Sequence, residues 1–199
     1  MSLILPNIID TDKFFNDPQD FNSSHINTND YDNNLIMTRG YASAAVFFLK
    51  IISSSSSDYV KACYINPCLY CFRHYIELSL KDTLWHYYYC THNIIDLDKI
   101  NNEHNLSSLW EMLLPLLKRD SKTKNVGRLL HELSDVDKSG TTFRYSYSFN
   151  KTGRENNKGL QMNISNKILH TRMLQLYRFF EGLNSEITNG LDEITSYNN

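Results

Sequence analysis

Asn66-Pro67-Cys68-Leu69-Tyr70-Cys71-Phe72-Arg73-His74-Tyr75-Ile76-Glu77-Leu78-Ser79-Leu80-Lys81-Asp82-Thr83-Leu84-Trp85 is the stretch whose reading decides the fold. Asn66 can cap the free amides of a helix start, and Pro67 suits the first helical position, where its missing N–H costs nothing. At ~100° per residue, Glu77 falls about 40° from Arg73, Lys81 about 80° and His74 about 100°. Leucines, isoleucines, aromatics and cysteines fill the rest of the circle. A helix apolar nearly all round sits at the centre of a bundle, and its narrow charged strip must be paired or used. Some twenty residues later His104-Asn105-Leu106 opens the next apolar pattern.

The bulk numbers agree with such a bundle. With 199 residues, 41% hydrophobic and 21% charged, the chain has the composition of a soluble protein able to hold a core without staples. No apolar run approaches the ~20 residues needed to span a bilayer, and Ser2-Leu3-Ile4-Leu5 is too short for a signal-peptide core. The expectation is a cytoplasmic protein with no membrane partner. Cys63, Cys68 and Cys71 lie together within or just before the helix, the habitat of reduced core thiols. Cys68-x-x-Cys71 beside His74 lacks a second ligand pair, so neither metal nor another cofactor is expected. Net charge is −2, but it is unevenly placed. Residues 1–35 hold six Asp and one Lys, whereas residues 118–178 hold thirteen Lys or Arg against five Asp or Glu. A basic second half can meet a phosphate backbone, and solvated helix faces would give the same asymmetry.

Along the chain, residues 1–35 read as an extended arm pinned by Phe14, Phe15 and Phe21. Residues 36–188 read as one helical domain, and 189–199 as a frayed tail. Ala42, Ala45, Val46, Phe48 and Leu49 mark a helix over 36–52, and Ser53–Ser57 reads as a flexible connector. After the central helix a polar loop runs to Glu103. Asn105 or Asn102 can cap a helix carrying Leu106, Leu109, Trp110 and Leu113, which Pro115 kinks or shortens. Ser121 can cap the next, with Val126, Leu129, Leu130, Leu133 and Val136 at helical spacing and Gly140 just past its end. Phe143, Tyr145, Tyr147 and Phe149 then alternate with polar residues. Leu160, Met162 and Ile164 do the same beyond a turn over Lys151–Gly159, which predicts a β-hairpin over about 141–164. Ser165 caps a last long helix with Ile168, Leu169, Met173, Leu176, Phe179, Phe180 and Leu183 as its core stripe. The expected fold is mainly α, a helical bundle with a small hairpin inserted before the last helix.

Arg73-His74-Tyr75-Ile76-Glu77-Leu78-Ser79-Leu80-Lys81 followed by His104-Asn105-Leu106…Leu109-Trp110 resembles the HEPN superfamily of small helical domains. In these an E-L-x-L-K helix precedes an H-x-L helix opening. Asp137…Gly140…Phe143-Arg144-Tyr145 resembles the D-x-x-G-x-x-F-R-Y-P segment of a bacterial branch, with Ser146 where Pro usually sits. The likeness covers roughly residues 40–185. It implies a four- or five-helix HEPN-like bundle that forms a homodimer. Many relatives are metal-independent ribonucleases of anti-phage defence or toxin–antitoxin systems, which implies RNA or a nucleotide as ligand and a protein partner from the same operon. Others are non-catalytic nucleotide-binding or interaction modules. The catalytic versions carry Arg-x4–6-His, and this chain departs from that spacing; adjacent Arg73-His74 and Arg128-x-x-His131 come nearest.

Metal-free RNA cleavage needs a base for the 2′-hydroxyl proton, an acid for the leaving oxygen and a cation on the phosphate. His104 and His74 can fill the first two roles, and Arg73, Lys81 or Arg144 the third, with Glu77 orienting its neighbours. The same strip also fits a ladder of i, i+4 salt bridges worth ~0.2–0.5 kcal/mol each. Arg144, on the polar face of the expected strand, can meet Asp137, the Glu77 strip or a phosphate. The aromatics of 143–149 suit either a hairpin's packed face or a base-stacking platform. Lys118–Arg128 and Lys151–Lys158 are the better phosphate contacts. There is no Gly-rich phosphate loop, no G-x-S-x-G elbow and no His-Glu-x-x-His zinc helix.

Overall fold

A computed structural model describes residues 31–91, 97–118, 120–145, 147–150, 153–156 and 163–197. The protein is mainly helical, with α1 Tyr31–Ser54, α2 Asp58–Thr91, α3 Leu97–Asn102, α4 Leu106–Leu113, α5 Ser121–Val136 and α6 Asn166–Tyr197. Most of the expected arm lies outside the described residues, but its last part is helical, because α1 begins at Tyr31.

α2 is the central helix and packs against α1, α3, α4 and α6. Its buried Cys68, Phe72, Tyr75, Ile76, Leu80 and Leu84 meet Ala42, Ala45, Leu49 and Ile52 of α1. Leu106, Leu109, Trp110 and Leu113 close the core from α4, and Met173, Leu176 and Phe180 close it from α6. On α6, Ile168 departs from its expected core position and is 60% exposed. α4 and α5 approach closely at Gly127, where an added Cβ would stand 2.6 Å from Trp110 Nε1.

Several boundaries differ from the expected ones. α2 starts at Asp58, so Pro67 is interior rather than an N1 residue. The turn before it exposes Ala62, Cys63 and Asn66, and water can satisfy the carbonyl that Pro67 leaves without its N–H partner. The serine run shrinks to a short link in which Ser57 Oγ accepts from Val60 N at 3.4 Å and so opens α2. The loop expected before Glu103 contains α3. Asn105 caps α4, its side chain accepting from Ser108 N at 3.1 Å, and Pro115 ends α4 in a 3₁₀ turn over Leu114–Leu116. Asp120, not Ser121, caps α5, accepting from Thr123 N at 2.9 Å. α6 continues through Tyr197, where a frayed tail was expected.

The hairpin expected over 141–164 is not built. Residues 142–144 form a turn, with the Thr141 oxygen accepting from Arg144 N at 3.1 Å and Tyr145 N at 3.2 Å. The strand pairing that exists is shorter: Tyr147–Asn150 runs antiparallel to Gly153–Asn156, with Phe149 opposite Arg154. That second segment lies inside the expected turn. Residues 160–162 of the expected second strand fall outside the described residues, and 163–165 carry no regular structure.

The expectation that no segment reaches membrane-spanning length is also corrected. Asn34–Ser54 has 21 residues and a mean hydropathy of 1.5, enough to cross a bilayer by length and composition. Here its Ala42, Ala45, Leu49 and Ile52 are buried in the helical core.

Candidate functional site

The charged strip of α2 is buried among apolar neighbours, and Arg73 is its hub. Nη1 donates to Glu77 Oε2 at 2.7 Å, and Nη2 donates to the His104 backbone oxygen. Nε points at the Asp137 carbonyl at 3.3 Å, while Asp137 Oδ2 lies 3.1 Å from the same nitrogen as an ion pair without hydrogen-bond alignment. The Arg73 and Asp137 side chains are 2% and 0% exposed, so this charge pair lies in a low-dielectric setting and holds through its geometry.

Glu77 is shared three ways. Besides Arg73, its Oε1 lies 2.9 Å from Lys81 Nζ and 2.9 Å from His104 Nδ1. Burial alone would raise the carboxyl; hydrogen bonds from His104, Arg73 and Lys81 outweigh it and hold the pKa at about 2. An ionised Glu77 only accepts, so Nδ1 of His104 donates to it and Nε2 is the ring nitrogen left outside the pair. The His104 side chain is 58% exposed. Local structure holds it there: Glu103 Oε1 accepts from Asn105 N at 2.7 Å, and Lys81 Nζ donates to the Asn101 oxygen at 2.9 Å. Both ends of the α3–α4 junction are thereby tied down.

Asp137 and Gly140 complete the cradle. Asp137 Oδ1 accepts from Thr141 N at 2.9 Å and Thr142 N at 3.0 Å, which bends the chain just past α5. Gly140 has φ +74°, and a Cβ there would stand 2.9 Å from Arg73 Nη1. Glycine is required on both counts, for the left-handed backbone and for the close approach. In the sequence Gly140 stood as the glycine just past the helix end and, with Asp137, in the family-like segment, where Asp137 was one expected partner of Arg144. The signal for the Arg73 cradle was the Asp-x-x-Gly spacing directly after a helical stripe.

Arg73, Glu77, Lys81 and His104 are thus brought together; no hydrogen bond or ion pair joins Arg144 or His74 to them. The 142–144 turn sends Arg144 outward, where its guanidinium lies over the rings of Tyr70 (5.7 Å) and Tyr145 (5.1 Å). The expected contact of Arg144 with Asp137 or the Glu77 strip is therefore corrected. His74 stacks on Tyr70, centroids 5.7 Å apart, and meets Tyr41 edge-on at 4.4 Å. Burial lowers its pKa; the Glu77 charge opposes this, and the Arg73, Lys81 and Arg144 charges add to it. Sequence reading passed over Tyr41 and Tyr70, although Tyr70 stands one turn before His74.

Among the described residues no group of three or more His, Cys, Asp or Glu side chains is placed to hold a metal ion. Cys68 is a core thiol, donating to the Ala45 oxygen at 3.3 Å, and burial pushes its pKa up to about 12. Fold and site together define a mainly helical bundle with a buried, charge-balanced cluster covered by a carboxylate-held histidine. No family model matches the chain, and neither does any curated protein or solved structure.

Proposed function

We propose that this chain is a HEPN-like domain that engages RNA or a nucleotide at the His104 face and cleaves RNA without metal. The observation that carries the reading is the Glu77–His104 pair, 2.9 Å apart with the outer half of the imidazole open to solvent. A base oriented by a buried carboxylate is the arrangement general acid–base chemistry needs. His104 Nε2 would take the 2′-hydroxyl proton as the 2′-oxygen attacks the phosphorus, the leaving 5′-oxygen would take its proton from solvent, and Arg144 would leave its place over Tyr70 and Tyr145 to meet the phosphate. The setting proposed is cytoplasmic, in bacterial anti-phage defence or a toxin–antitoxin pair, with a homodimer as the working form. Ile36 and Phe47, 65% and 60% exposed and about 20° apart around α1, leave an apolar stripe suited to self-association. The test is cleavage of a labelled RNA in excess chelator by wild type and His104→Ala. Loss of cleavage in the variant is expected; equal cleavage, or none in wild type, would end the catalytic reading.

A non-catalytic interaction or nucleotide-sensing module is the second reading, favoured by one observation: every nitrogen of Arg73 is already engaged. On that reading the strip holds the bundle together and a protein partner or nucleotide binds elsewhere. Glu77→Ala would then lower thermal stability and leave the cellular effect of the folded protein intact.

A further inference from the structure

A second region of the molecule gathers charge that the Arg73 cluster does not use. Between α5 and α6 lies a cleft of about 780 Å³, within the size range of ligand sites. Lys118, Lys122 and Arg128 line it from the α5 side, and Arg172 and Arg178 from α6. Of these cations only Arg128 is ion-paired within 4.0 Å, to Glu132 at 3.5 Å, while Asp120 lies close enough to Lys122 to feel its charge. Arg172 donates to the neutral Gln175 at 2.8 Å. Among the described residues Lys118, Lys122, Arg172 and Arg178 make no ion pair within 4.0 Å. Lys118, Lys122, Arg128, Arg172 and Arg178 outnumber the two carboxylates of the lining, Asp120 and Glu186, so the cleft carries a net positive charge. Their common counterpart is a chain of evenly spaced anions.

The rest of the lining narrows the class of that polyanion. Leu129, Leu176, Phe179 and Leu183 form an apolar floor, against which a ribose or base can rest once unstacked from a partner strand. A duplex keeps its base faces stacked against one another and offers none of them to such a floor. Asn125, Asp120 and Glu186 also line the cleft. Carboxylates there oppose bare phosphate but accept from a 2′-hydroxyl, the group that separates RNA from DNA.

We propose that the α5–α6 cleft binds single-stranded RNA, its phosphates on Lys118, Lys122, Arg172 and Arg178 and its unstacked bases and riboses over the apolar floor. This surface is separate from the His104 face. It shares with the proposed function only the ligand class, and its test reads binding, not cleavage.

The experiment is fluorescence anisotropy of the full chain with a fluorescein-labelled oligouridylate, run beside the matching oligodeoxythymidylate, an RNA duplex and heparin as competitor. Four phosphate contacts predict a slope of log K against log salt of about −2.8, or roughly 50-fold weaker binding at 200 mM than at 50 mM salt. Arg172→Gln with Arg178→Gln, both exposed side chains, should halve that slope to about −1.4 and weaken binding at least about 10-fold. Lys50→Gln, an exposed cation on α1, should leave binding unchanged. The single-stranded RNA should bind about fivefold tighter than the DNA for one added hydrogen bond. Absence of RNA binding at 50 mM salt, or a double variant that binds as wild type does, would overturn the proposal. So would DNA, duplex or heparin held as tightly as the oligouridylate. Tight binding without cleavage would leave the cleft standing and sink the catalytic reading; cleavage untouched by the double variant, with no binding defect, would do the reverse.

Discussion

Replacing Glu77 by Gln tests the central cluster most directly. The substitution keeps the shape of the side chain and removes the charge that faces Arg73, Lys81 and His104 at 2.7, 2.9 and 2.9 Å. Two routes give its cost. A folded-state pKa of about 2 against an ordinary value of 4.5 corresponds to roughly 3 kcal/mol of stability at neutral pH. Stripping one partner from a buried ion pair costs ~3–5 kcal/mol. Both point to about 3–4 kcal/mol, or a fall in Tm of roughly 10 °C for a chain of this size. Because the folded value lies below the unfolded one, the Glu77 contribution is complete above about pH 4.5 and drains away as the pH falls toward about 2. Urea unfolding from pH 7 to pH 3 should show wild type losing somewhat more than half of this increment, about 2 kcal/mol, and Glu77→Gln lacking that part of the slope. A variant less than about 1 kcal/mol weaker at pH 7, or one with the wild-type slope in acid, would refute the reasoning.

Gly140→Ala should cost about 2–3 kcal/mol, since it combines a left-handed backbone penalty of ~1–2 kcal/mol with a Cβ 2.9 Å from Arg73 Nη1; chemical denaturation reads it, and a loss under about 1 kcal/mol would mean that the cradle yields. Asn105→Ala removes the α4 cap and the acceptor for Ser134 Oγ at 3.0 Å, for about 1–2 kcal/mol in the same assay. With its pKa at about 12, Cys68 should resist alkylation at pH 8 while exposed Cys63 reacts; labelling followed by peptide mass analysis separates them, and equal rates would contradict the burial of Cys68.

The central helix was legible because its apolar residues cover nearly the whole circle and its charges recur every four residues. Its start was not, because Asn66-Pro67 carries a genuine start signal that packing overrides, while the true cap, Ser57 before Asp58, is the last member of a serine run that reads as a connector. The gathering of Glu77, Lys81 and His104 could be anticipated from spacing and from the Asn105 cap. The pairing of Arg73 with Asp137 could not, since nothing in one sequence links positions 64 apart. The same carboxylate explains the misplaced strand. Period-two alternation from Phe143 to Phe149 is real, but Asp137 takes the amides of Thr141 and Thr142 and forces a turn where a strand would have begun. Arg144 is carried outward with that turn.

The guanidinium of Arg73 joins three stretches of chain: its own helix, the α3–α4 junction through the His104 carbonyl, and the segment after α5 through Asp137. None of the three can swing away alone without stranding a charge in an oily interior. Local opening of that junction is therefore coupled to loosening at the end of α5, and the bundle on that side unfolds as one cooperative unit rather than peeling helix by helix.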